Sequence, residues 1–363
     1  MTPRERVQAI LARSVPDKLP REFKLTPPLQ EEFEKRTGCT DVSEFYSMDV
    51  REVYFKAPDE HADFSEYYPE GVPKLWNPTG WEVGEWGVGV KPGSLLHFIH
   101  IQYPMLNITD ISELRDYPFP DFTLPSRYGH LPAAVDGYHD RDLFVIGYME
   151  WTIFEIAWHM RSMDKLFMDI VYDPPLAEYL LDVVTEKRCF QARKFAEAGV
   201  DMLRIGDDLG TQISTIMGPD MYREWFKPRH AAVIRAAREV RPDIHVSYHS
   251  DGAIWELIPD LIEIGVSVLN PIQPECLDIA AVKREFGKDL IFWGGIGTQT
   301  TMPFDSPEEV YDSVRRTIDT LGPTGFFPCP THVLEPEVTW ENIEAFLRAV
   351  DEYAFAAATS PSQ

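Results

Sequence analysis

The sequence has few cysteines, few basic residues relative to acidic ones and no long apolar run. Its four cysteines (Cys39, Cys189, Cys276 and Cys329) are scattered and form no CxxC pair, which argues against a disulfide framework and predicts a reducing cytoplasm. Every apolar run is far shorter than the roughly 20 residues of a membrane span, and the N-terminus lacks a signal-peptide core. With 34 basic against 59 acidic residues the net charge is −25, so we expect no nucleic-acid or membrane-surface partner.

A repeating pattern of strands and helices starts near Asp142. Six apolar strand segments are each followed by a helical segment: LFVIGY, MLRIGD, IHVSYH, VSVLNP, LIFWGG and GFFPCP. REVYF and one earlier segment can supply two further strands. Buried strands alternating with amphipathic helices indicate a parallel sheet, and seven or eight repeats predict an α/β fold, a (β/α)8 TIM-type barrel. A doubly wound open sheet is the alternative, but neither GxGxxG nor a Walker pattern occurs.

One barrel domain over residues 1–353 accounts for most of the chain, with a disordered tail predicted over 354–363. Thr2-Pro3-Arg4-Glu5 has the form of a capping box and Thr26-Pro27 repeats the signal, so N-terminal helices are predicted before the barrel. Residues 57–130 are rich in proline, glycine and aromatics, and WEVGEWGVGV alternates well enough for a strand or hairpin. We expect this region to be an insertion that shapes the pocket.

Polar residues follow the ends of the predicted strands, where TIM barrels carry their catalytic residues. Along the chain they are Tyr148, Glu150, Asp207, Asp208, His249, Asp251, Asn270, Gln273, Cys329 and His332. Each has an ordinary alternative, because an aspartate can cap a helix, a strand-end histidine can be simply hydrogen-bonded and a cysteine can be a small buried apolar residue. Since consecutive strands carry them at one rim, we expect a catalytic site there. Tryptophans, including Trp293, either line a pocket for a flat substrate or pack the insertion.

His249 and Asp251 lie two residues apart at one strand end, so both side chains can turn toward one ion. Together with Cys329 from a later strand they form a set of nitrogen, oxygen and sulfur ligands. Three such ligands with an open fourth position are what a catalytic zinc site uses. The spacing therefore permits a metal site but does not require one, since the third ligand is remote in sequence.

Several of these segments resemble the uroporphyrinogen decarboxylase superfamily, over roughly residues 142–350. They are HSDG followed by LIPDLIEIGVSVLNPIQPEC, then FWGGIGTQ, PCPTHVLEPEVTWENI and IGDDLGTQ. The resemblance implies a (β/α)8 barrel with one of two activities, decarboxylation of uroporphyrinogen or zinc-dependent methyl transfer involving corrinoid proteins. The decarboxylase branch carries an MRQAGRY-type arginine segment that grips carboxylates. Nothing similar occurs here, and a charge of −25 opposes an octacarboxylate substrate.

The methyltransferase branch, that of methylcobalamin:coenzyme M methyltransferase-like proteins, carries His-x-Cys-Gly at a strand end and a second cysteine far downstream. The matching residues here are His249-Ser250-Asp251-Gly252 and Cys329, so a carboxylate replaces one thiolate and the formal ligand charge stays at −2. The resemblance thus implies a zinc site of His249, Asp251 and Cys329. It leaves His332 as an added or substitute ligand, with Asp208 also able to reach the site.

The resemblance implies a methyltransferase that moves a methyl group between a small substrate and a corrinoid protein or a thiol or pterin acceptor, with a metal ion at the candidate site activating the nucleophile. The predicted catalytic residues are Asp208, His249 and His332. The predicted substrate-binding residues are Tyr148, Glu150, Asp207, Gln273 and Trp293. We expect a separate protein to carry the corrinoid, because no DxHxxG-type segment occurs.

Two other functions stay open. One is a metal-independent decarboxylase or lyase acting on a small carboxylated or methoxylated substrate, with Asp208 as the polar anchor and His249 or His332 as the proton donor. The other is a corrinoid-partner subunit that has lost catalysis. Family likeness also predicts a homodimer.

Overall fold

A seven-stranded parallel sheet forms the centre of the molecule in the computed structural model, which describes residues 1–68, 83–92, 99–322 and 324–358. The strands follow one another in the sheet in chain order, except for an antiparallel hairpin of β2 and β3 that stands apart. The strands are β1 (Val50–Val53), β2 (Gly89–Pro92), β3 (Ile99–Gln102), β4 (Phe144–Glu150), β5 (Met202–Gly206), β6 (His245–His249), β7 (Val268–Asn270), β8 (Ile291–Ile296) and β9 (Phe326–Pro330).

Helices connect successive parallel strands and cover the sheet. They are α1 (Pro3–Leu11), α2 (Pro27–Thr37), α3 (Val42–Phe45), α4 (Ile111–Arg115), α5 (Pro125–Tyr128), α6 (Leu131–His139), α7 (Phe154–Arg161), α8 (Met163–Tyr172), α9 (Pro174–Glu197), α10 (Pro219–Met221), α11 (Lys227–Arg238), α12 (Ile258–Glu263), α13 (Ile279–Phe286), α14 (Thr301–Phe304), α15 (Pro307–Leu321) and α16 (Trp340–Ala358). The predicted α/β fold of the TIM-barrel type is confirmed, and all six apolar segments proposed from Asp142 onward are parallel strands.

An extended N-terminal segment, residues 21–26, lies between the first and last strands of the parallel sheet. Leu25 forms a parallel bridge with Leu334, which follows β9, and Lys24 donates to the Glu52 carboxylate of β1 at 2.8 Å. The segment therefore contacts both edges of the curled sheet. Among the described residues the parallel sheet has seven strands, and this segment adds one isolated bridge where the sequence predicted an eighth strand from an unspecified earlier segment.

The strands are buried on both faces, as their near-continuous apolar sequence predicts. All residues of β5, β8 and β9 are buried, and they join one apolar core with the inner faces of α9, α11 and α15. Local signals set the helix starts, because Thr2 and Ser306 each form a complete capping box followed by proline. The parallel arrangement brings the carboxyl ends of the strands to one mouth.

The predicted insertion over residues 57–130 contributes nothing to the parallel sheet where it is described. It contains the β2–β3 hairpin, α4 and α5, and the part of WEVGEWGVGV before Val83 lies outside the described residues. The last helix continues to Ala358, beyond the predicted start of the tail at 354, and residues 359–363 lie outside the described part. Within the described residues, no helix has both the length and the apolar character to cross a membrane.

Candidate functional site

A cavity of about 820 Å³ opens at the carboxyl ends of the parallel strands. Its lining residues come from the loops that follow five consecutive strands, β5 to β9. They are Asp208, Gln212, Asp251, Gln273, Thr298, Gln299, Pro303, Phe304, Thr331, His332, Val333, Glu335, Glu337 and Val338. None of these comes from the described part of residues 57–130, so the role of that region in shaping the pocket stays a prediction.

Three side chains at the base of this cavity present ligand atoms to a common point. One ligand atom each from Asp208, His249 and Asp251 lies within 4.8 Å of the other two. His249 Nε2 is 3.9 Å from Asp208 Oδ1. Asp251 Oδ1 is buried and has no hydrogen-bond partner among the described residues, although a buried carboxylate oxygen ordinarily has one. An unsatisfied anionic oxygen beside an imidazole and a second carboxylate is a fitting environment for a divalent cation.

The segment His249-Ser250-Asp251-Gly252 is shaped by its contacts with the loop that follows β5. The backbone N–H of Asp251 donates to Asp208 Oδ1 at 2.8 Å, and Ser250 Oγ accepts the N–H of Leu209 at 2.9 Å. Gly252 has a φ of +86°, and a Cβ there would lie 2.6 Å from backbone atoms of Gly210 and Thr211. Only glycine fits this close approach of the two loops, which is what brings Asp208 and Asp251 together.

The orientation of His249 is fixed by a hydrogen bond on its other ring nitrogen. Its Nδ1 lies 2.6 Å from Asn270 Oδ1. Asn270 Nδ2 donates to the carbonyl of Trp293 at 2.9 Å, and its Oδ1 also accepts from Arg204 Nη2 at 3.0 Å, so that oxygen acts only as an acceptor. His249 therefore carries a hydrogen on Nδ1, which leaves Nε2, 3.9 Å from Asp208 Oδ1, as the ring nitrogen that can bind a metal ion. This is how outer hydrogen bonds prepare a histidine for metal binding.

Charges around His249 decide its protonation. Burial alone would lower the pKa of His249, but the carboxylates of Glu150, Asp251 and Asp208 outweigh burial and raise it. Burial raises the pKa of Asp251, an effect that His249 opposes and Asp208 increases. Because both pKa values are raised, protons compete with a metal ion for His249 and Asp251. A bound cation would displace these protons, since ligand atoms must be deprotonated to bind metal.

A buried ionic network supports the site from inside the barrel. Arg204, in the middle of β5, donates to the Glu150 carboxylate, and the Tyr148 hydroxyl donates to the same carboxylate. Burial would raise the pKa of Glu150, but Arg204 and His249 outweigh it and lower that pKa to about 2. Glu150 is therefore an anion that holds Arg204, and Arg204 in turn holds Asn270.

Some predicted site residues line the cavity and others do not. Asp208, Asp251, Gln273 and His332 line it, and Gln273 Oε1 accepts the N–H of Gly252 at 3.0 Å. His332 is exposed, with Nδ1 3.3 Å from the carbonyl of Val333, and its charge acts on Asp251. Tyr148 and Glu150 belong to the buried network just described.

Asp207 lies behind the site, fully buried. Its carboxylate accepts the N–H groups of Ile153, Phe154 and Glu155 and is 2.7 Å from His230 Nε2. These contacts satisfy both oxygens and anchor the start of α7. Asp207 therefore anchors a helix that precedes it in the chain and not the turn that follows it. It is not among the described residues that line the cavity, and its role in substrate binding stays a prediction.

Cys329 and Trp293 are also not at the cavity surface. Trp293 stacks on Phe327 with ring centroids 4.1 Å apart and donates its indole N–H to Glu22 at 2.6 Å. The buried Cys329 belongs to no metal-ligand group among the described residues, and burial raises the pKa of its thiol well above its usual range. The structure thus brings His249 and Asp251 together with Asp208 and not with Cys329, so the candidate ligands are one imidazole and two carboxylates.

Sequence reasoning missed Arg204 and Glu155 near this site and gave Asn270 no specific role. Arg204 stands alone in an apolar strand, and such a placement is itself a signal, since arginine is rarely buried unless paired. Asn270 ends β7 and was noticed only as one polar strand end. Glu155 opens α7, where burial and the carboxylates of Asp208 and Asp207 raise its pKa well above its usual range.

Comparisons with known proteins identify the family and support the fold. The uroporphyrinogen decarboxylase (URO-D) family profile matches residues 85–353. A methylcobamide:CoM methyltransferase, MtaA, from Methanosarcina barkeri is 26% identical over 216 residues, which cover 58% of this chain and 59% of that protein. A methylated-thiol–coenzyme M methyltransferase from Methanosarcina mazei is 24% identical over 204 residues, which cover 55% of this chain and 51% of that protein. The chain thus spans little more than half the length of these curated relatives.

A solved structure of a methyltransferase from Methanosarcina mazei has the same fold along nearly the whole chain. It superposes with a TM-score of 0.69 and covers 97% of this chain and 99% of that one, at 16% sequence identity. At that identity the likeness establishes the barrel architecture and not the chemistry.

Proposed function

The chain belongs to the uroporphyrinogen decarboxylase (URO-D) family, and from that premise we propose that it is a zinc-assisted methyltransferase. The observation that carries the proposal is the convergence of Asp208, His249 and Asp251 at the base of the cavity, with Asp251 Oδ1 buried and unsatisfied. The two curated relatives are named as methyltransferases, which favours methyl transfer over decarboxylation.

The proposed ligands fit zinc in number and charge. One imidazole nitrogen and two carboxylate oxygens leave an open position for an exchangeable ligand, as catalytic zinc requires. They are harder ligands than a thiolate set, so the site would hold zinc less selectively against other divalent cations than a cysteine site does. Cys329 has no part in this proposed ligand set.

The chemistry follows from the position of the cavity. When bound there, zinc would lower the pKa of a coordinated thiol and hold its sulfur as the nucleophile. The acceptor supplies the electron pair of the new bond to the methyl carbon, while the old bond breaks and its pair stays with the leaving group. His332, at the cavity surface, would accept the proton that the thiol of the methyl acceptor loses. Gln273 would orient the substrate.

We further propose that a separate corrinoid protein exchanges the methyl group with this site. Exposed apolar side chains stand in the loops around the barrel mouth, where such a partner would dock. Trp151 after β4 is 42% exposed, Ile213 after β5 is 91% exposed, and Phe304 after β8 is 74% exposed. Apolar residues exposed around a cavity mark an interaction surface more often than isolated ones do.

A test of this function measures metal and methyl transfer together. Protein purified without chelator should contain one zinc per chain and should transfer methyl from methylcobalamin to a neutral thiol such as 2-mercaptoethanol, which the cobalamin absorbance reports. Asp251→Asn should retain far less than one zinc and lose activity at least about 100-fold, because it removes an anionic ligand. The matched control is Asp220→Asn, which neutralises a fully exposed carboxylate on α10 and should behave as wild type.

The alternative of a metal-independent decarboxylase or lyase makes the opposite prediction. Full activity on a carboxylated or methoxylated substrate after exhaustive chelation would support it. Zinc content in Asp251→Asn equal to that of the wild type would refute the proposed ligand set.

A further inference from the structure

The side-chain amide of Gln273 offers hydrogen-bond donors to the cavity. Gln273 lines the cavity and is only 5% exposed. Its Oε1 accepts the backbone N–H of Gly252 at 3.0 Å, and this contact fixes the direction of the amide, because a backbone N–H needs an acceptor. Nε2 makes no hydrogen bond within the described part of the chain. Nε2 is not sealed from solvent either, so in a side chain this deeply buried it opens to the cavity.

Two threonine hydroxyls in the same cavity leave one further donor. Thr298 follows β8 and Thr331 follows β9, and both line the cavity. Their Oγ1 atoms are 3.0 Å apart, so one hydroxyl donates to the other. Each hydroxyl has one hydrogen, and neither oxygen has another hydrogen-bond partner among the described residues. One hydrogen is therefore used between the two oxygens, and the other is available to a ligand. Thr331 is buried and Thr298 is half-buried, so this donor lies inside the cavity.

These donors come from consecutive loops on one side of the cavity. Gln273 follows β7, and the threonines follow β8 and β9, the next two strands of the sheet. The candidate metal ligands Asp208 and Asp251 line the same cavity from the loops after β5 and β6. A substrate bound beside the ion would therefore meet the donors with a second part of its structure.

The number and kind of these donors indicate what they bind. Buried donors are costly to leave unpaired, and ligand sites use a few such groups to fix the orientation of a substrate. A carbonyl oxygen has two lone pairs and no hydrogen, so it suits two neutral donors. A carboxylate or sulfonate has more lone pairs and a full charge, which binding sites commonly meet with arginine. The described lining of this cavity contains neither arginine nor lysine.

We infer that the side of the cavity formed by the loops after β7, β8 and β9 binds an uncharged carbonyl oxygen of the substrate, as in an amide, ester or ketone. Gln273 Nε2 and one hydroxyl of the Thr298 and Thr331 pair donate to that oxygen. The inference rests on the proposed function in treating the cavity as the place of the substrate. It goes further by assigning a functional group to the substrate and by giving the two threonines a part in recognising it.

Two thiols of equal chain length isolate the contribution of the carbonyl group. N-acetylcysteamine carries an amide, and pentane-1-thiol has methylene groups in its place. Each is titrated into the protein as purified, whose zinc content is measured, and binding is followed by ligand-observed NMR. For each thiol the dissociation constant of a variant is divided by that of the wild type. This ratio cancels the different hydrophobicity of the two compounds, as in a double-mutant cycle.

The variants remove donors and keep the volume of the side chains. Thr298→Val/Thr331→Val changes both residues, because each hydroxyl left on its own would keep a hydrogen to donate. This variant should bind N-acetylcysteamine about tenfold more weakly, as the loss of one hydrogen bond predicts, and pentane-1-thiol within about twofold of the wild type. Gln273→Met should act in the same way and gives a second test if the double variant does not fold.

The matched control is Thr185→Val. Thr185 is also buried, but its hydroxyl donates to the Leu181 carbonyl within α9 at 2.6 Å, and it is not among the described residues that line the cavity. The control should change neither affinity. A disturbed contact between Gln273 and Gly252 would weaken both thiols, whereas the loss of a donor weakens only the compound with a carbonyl group.

The outcomes distinguish this inference from the proposed function. Equal effects on both thiols in both variants, or a wild type that does not bind N-acetylcysteamine, overturn the inference even if the protein binds zinc and transfers methyl. If the variants weaken 3-mercaptopropanoate more than N-acetylcysteamine, the donors serve a carboxylate and the carbonyl assignment is wrong. Selective weakening of N-acetylcysteamine in a protein that holds no zinc supports the inference while the proposed function fails.

Discussion

Replacing Asn270 by alanine should weaken zinc binding although Asn270 is not a zinc ligand. Its Oδ1 is 2.6 Å from His249 Nδ1 and accepts from Arg204 at 3.0 Å, and its Nδ2 donates to the Trp293 carbonyl at 2.9 Å. The substitution removes the acceptor that keeps hydrogen on Nδ1, so the ring is free to rotate and to populate the other tautomer. Substitutions of such outer partners typically cost about 10- to 100-fold in metal affinity. That range corresponds to about 1.4–2.7 kcal/mol.

The same substitution should also destabilise the protein. It strips a buried guanidinium N–H and a buried carbonyl of their partners, and each unsatisfied buried group costs about 1–3 kcal/mol. We therefore expect the free energy of unfolding to fall by about 3 kcal/mol. Loss of stability alone does not demonstrate a role in metal binding, so the affinity must be measured on folded protein.

The assay is a competition titration with a zinc chelator of known affinity, joined to ¹⁵N NMR of the His249 ring. The matched control is Asn342→Ala. Asn342 is equally buried, and its Nδ2 donates to the carbonyls of Met302 and Asp305 at 2.8 and 2.9 Å. These carbonyls flank the cavity-lining Pro303 and Phe304, but Asn342 makes no hydrogen bond with any of the three proposed ligands. The control should lose stability but keep wild-type zinc affinity. Asn270→Ala with unchanged zinc affinity, or a metal-free wild type whose neutral His249 ring carries its hydrogen on Nε2 and not on Nδ1, would refute the reasoning.

Three further predictions concern the ligand set, the pH response and the loop contact. Cys329→Ser should keep a full zinc complement whereas Asp208→Asn should lose it, and metal analysis showing the reverse would restore the cysteine as a ligand. Because neighbouring carboxylates outweigh burial and raise the pKa of His249, the metal-free protein should lose stability as the pH rises from about 6.5 through that pKa, while zinc affinity increases. Thermal melts of the wild type and of His249→Gln over a range of pH, with and without zinc, measure how stability and zinc binding depend on pH. A pH dependence that His249→Gln leaves unchanged contradicts the prediction. Gly252→Ala should lower the free energy of unfolding by about 3 kcal/mol in denaturant titrations, since a Cβ would meet backbone at 2.6 Å, whereas Gly137→Ala, in open space on α6, should raise it by up to about 1 kcal/mol.

The sheet could be predicted from the sequence because strands buried on both faces have continuous apolar sequences. Segments such as Phe144–Glu150 and Ile291–Ile296 are apolar throughout and are separated by helical stretches. The bridge between Leu25 and Leu334 could not be predicted, because the segment around Leu25 is too short and too polar to show strand character. Its place is set by tertiary contacts with residues more than 300 positions away.

The sequence predicted where the candidate site lies but not which side chains meet there. The pattern of polar strand ends located His249 and Asp251, since parallel strands must end at one mouth. It could not tell which of the adjacent Asp207 and Asp208 faces the cavity, because one residue of difference reverses the direction of a side chain and loop geometry decides the rest. Family spacing made Cys329 the expected third ligand, although its thiol lies in the buried interior. Arg204 escaped notice because strand prediction averages over neighbours.

The backbone hydrogen bonds of Leu334 with Lys24 and Thr26 affect how the chain folds during synthesis. Thr26 N–H donates to the Leu334 carbonyl at 3.1 Å, and Leu334 N–H donates to the Lys24 carbonyl at 2.8 Å. Thr26 cannot find this partner until Leu334, 308 positions later in the chain, has been synthesised, and contacts between residues so far apart in sequence slow folding.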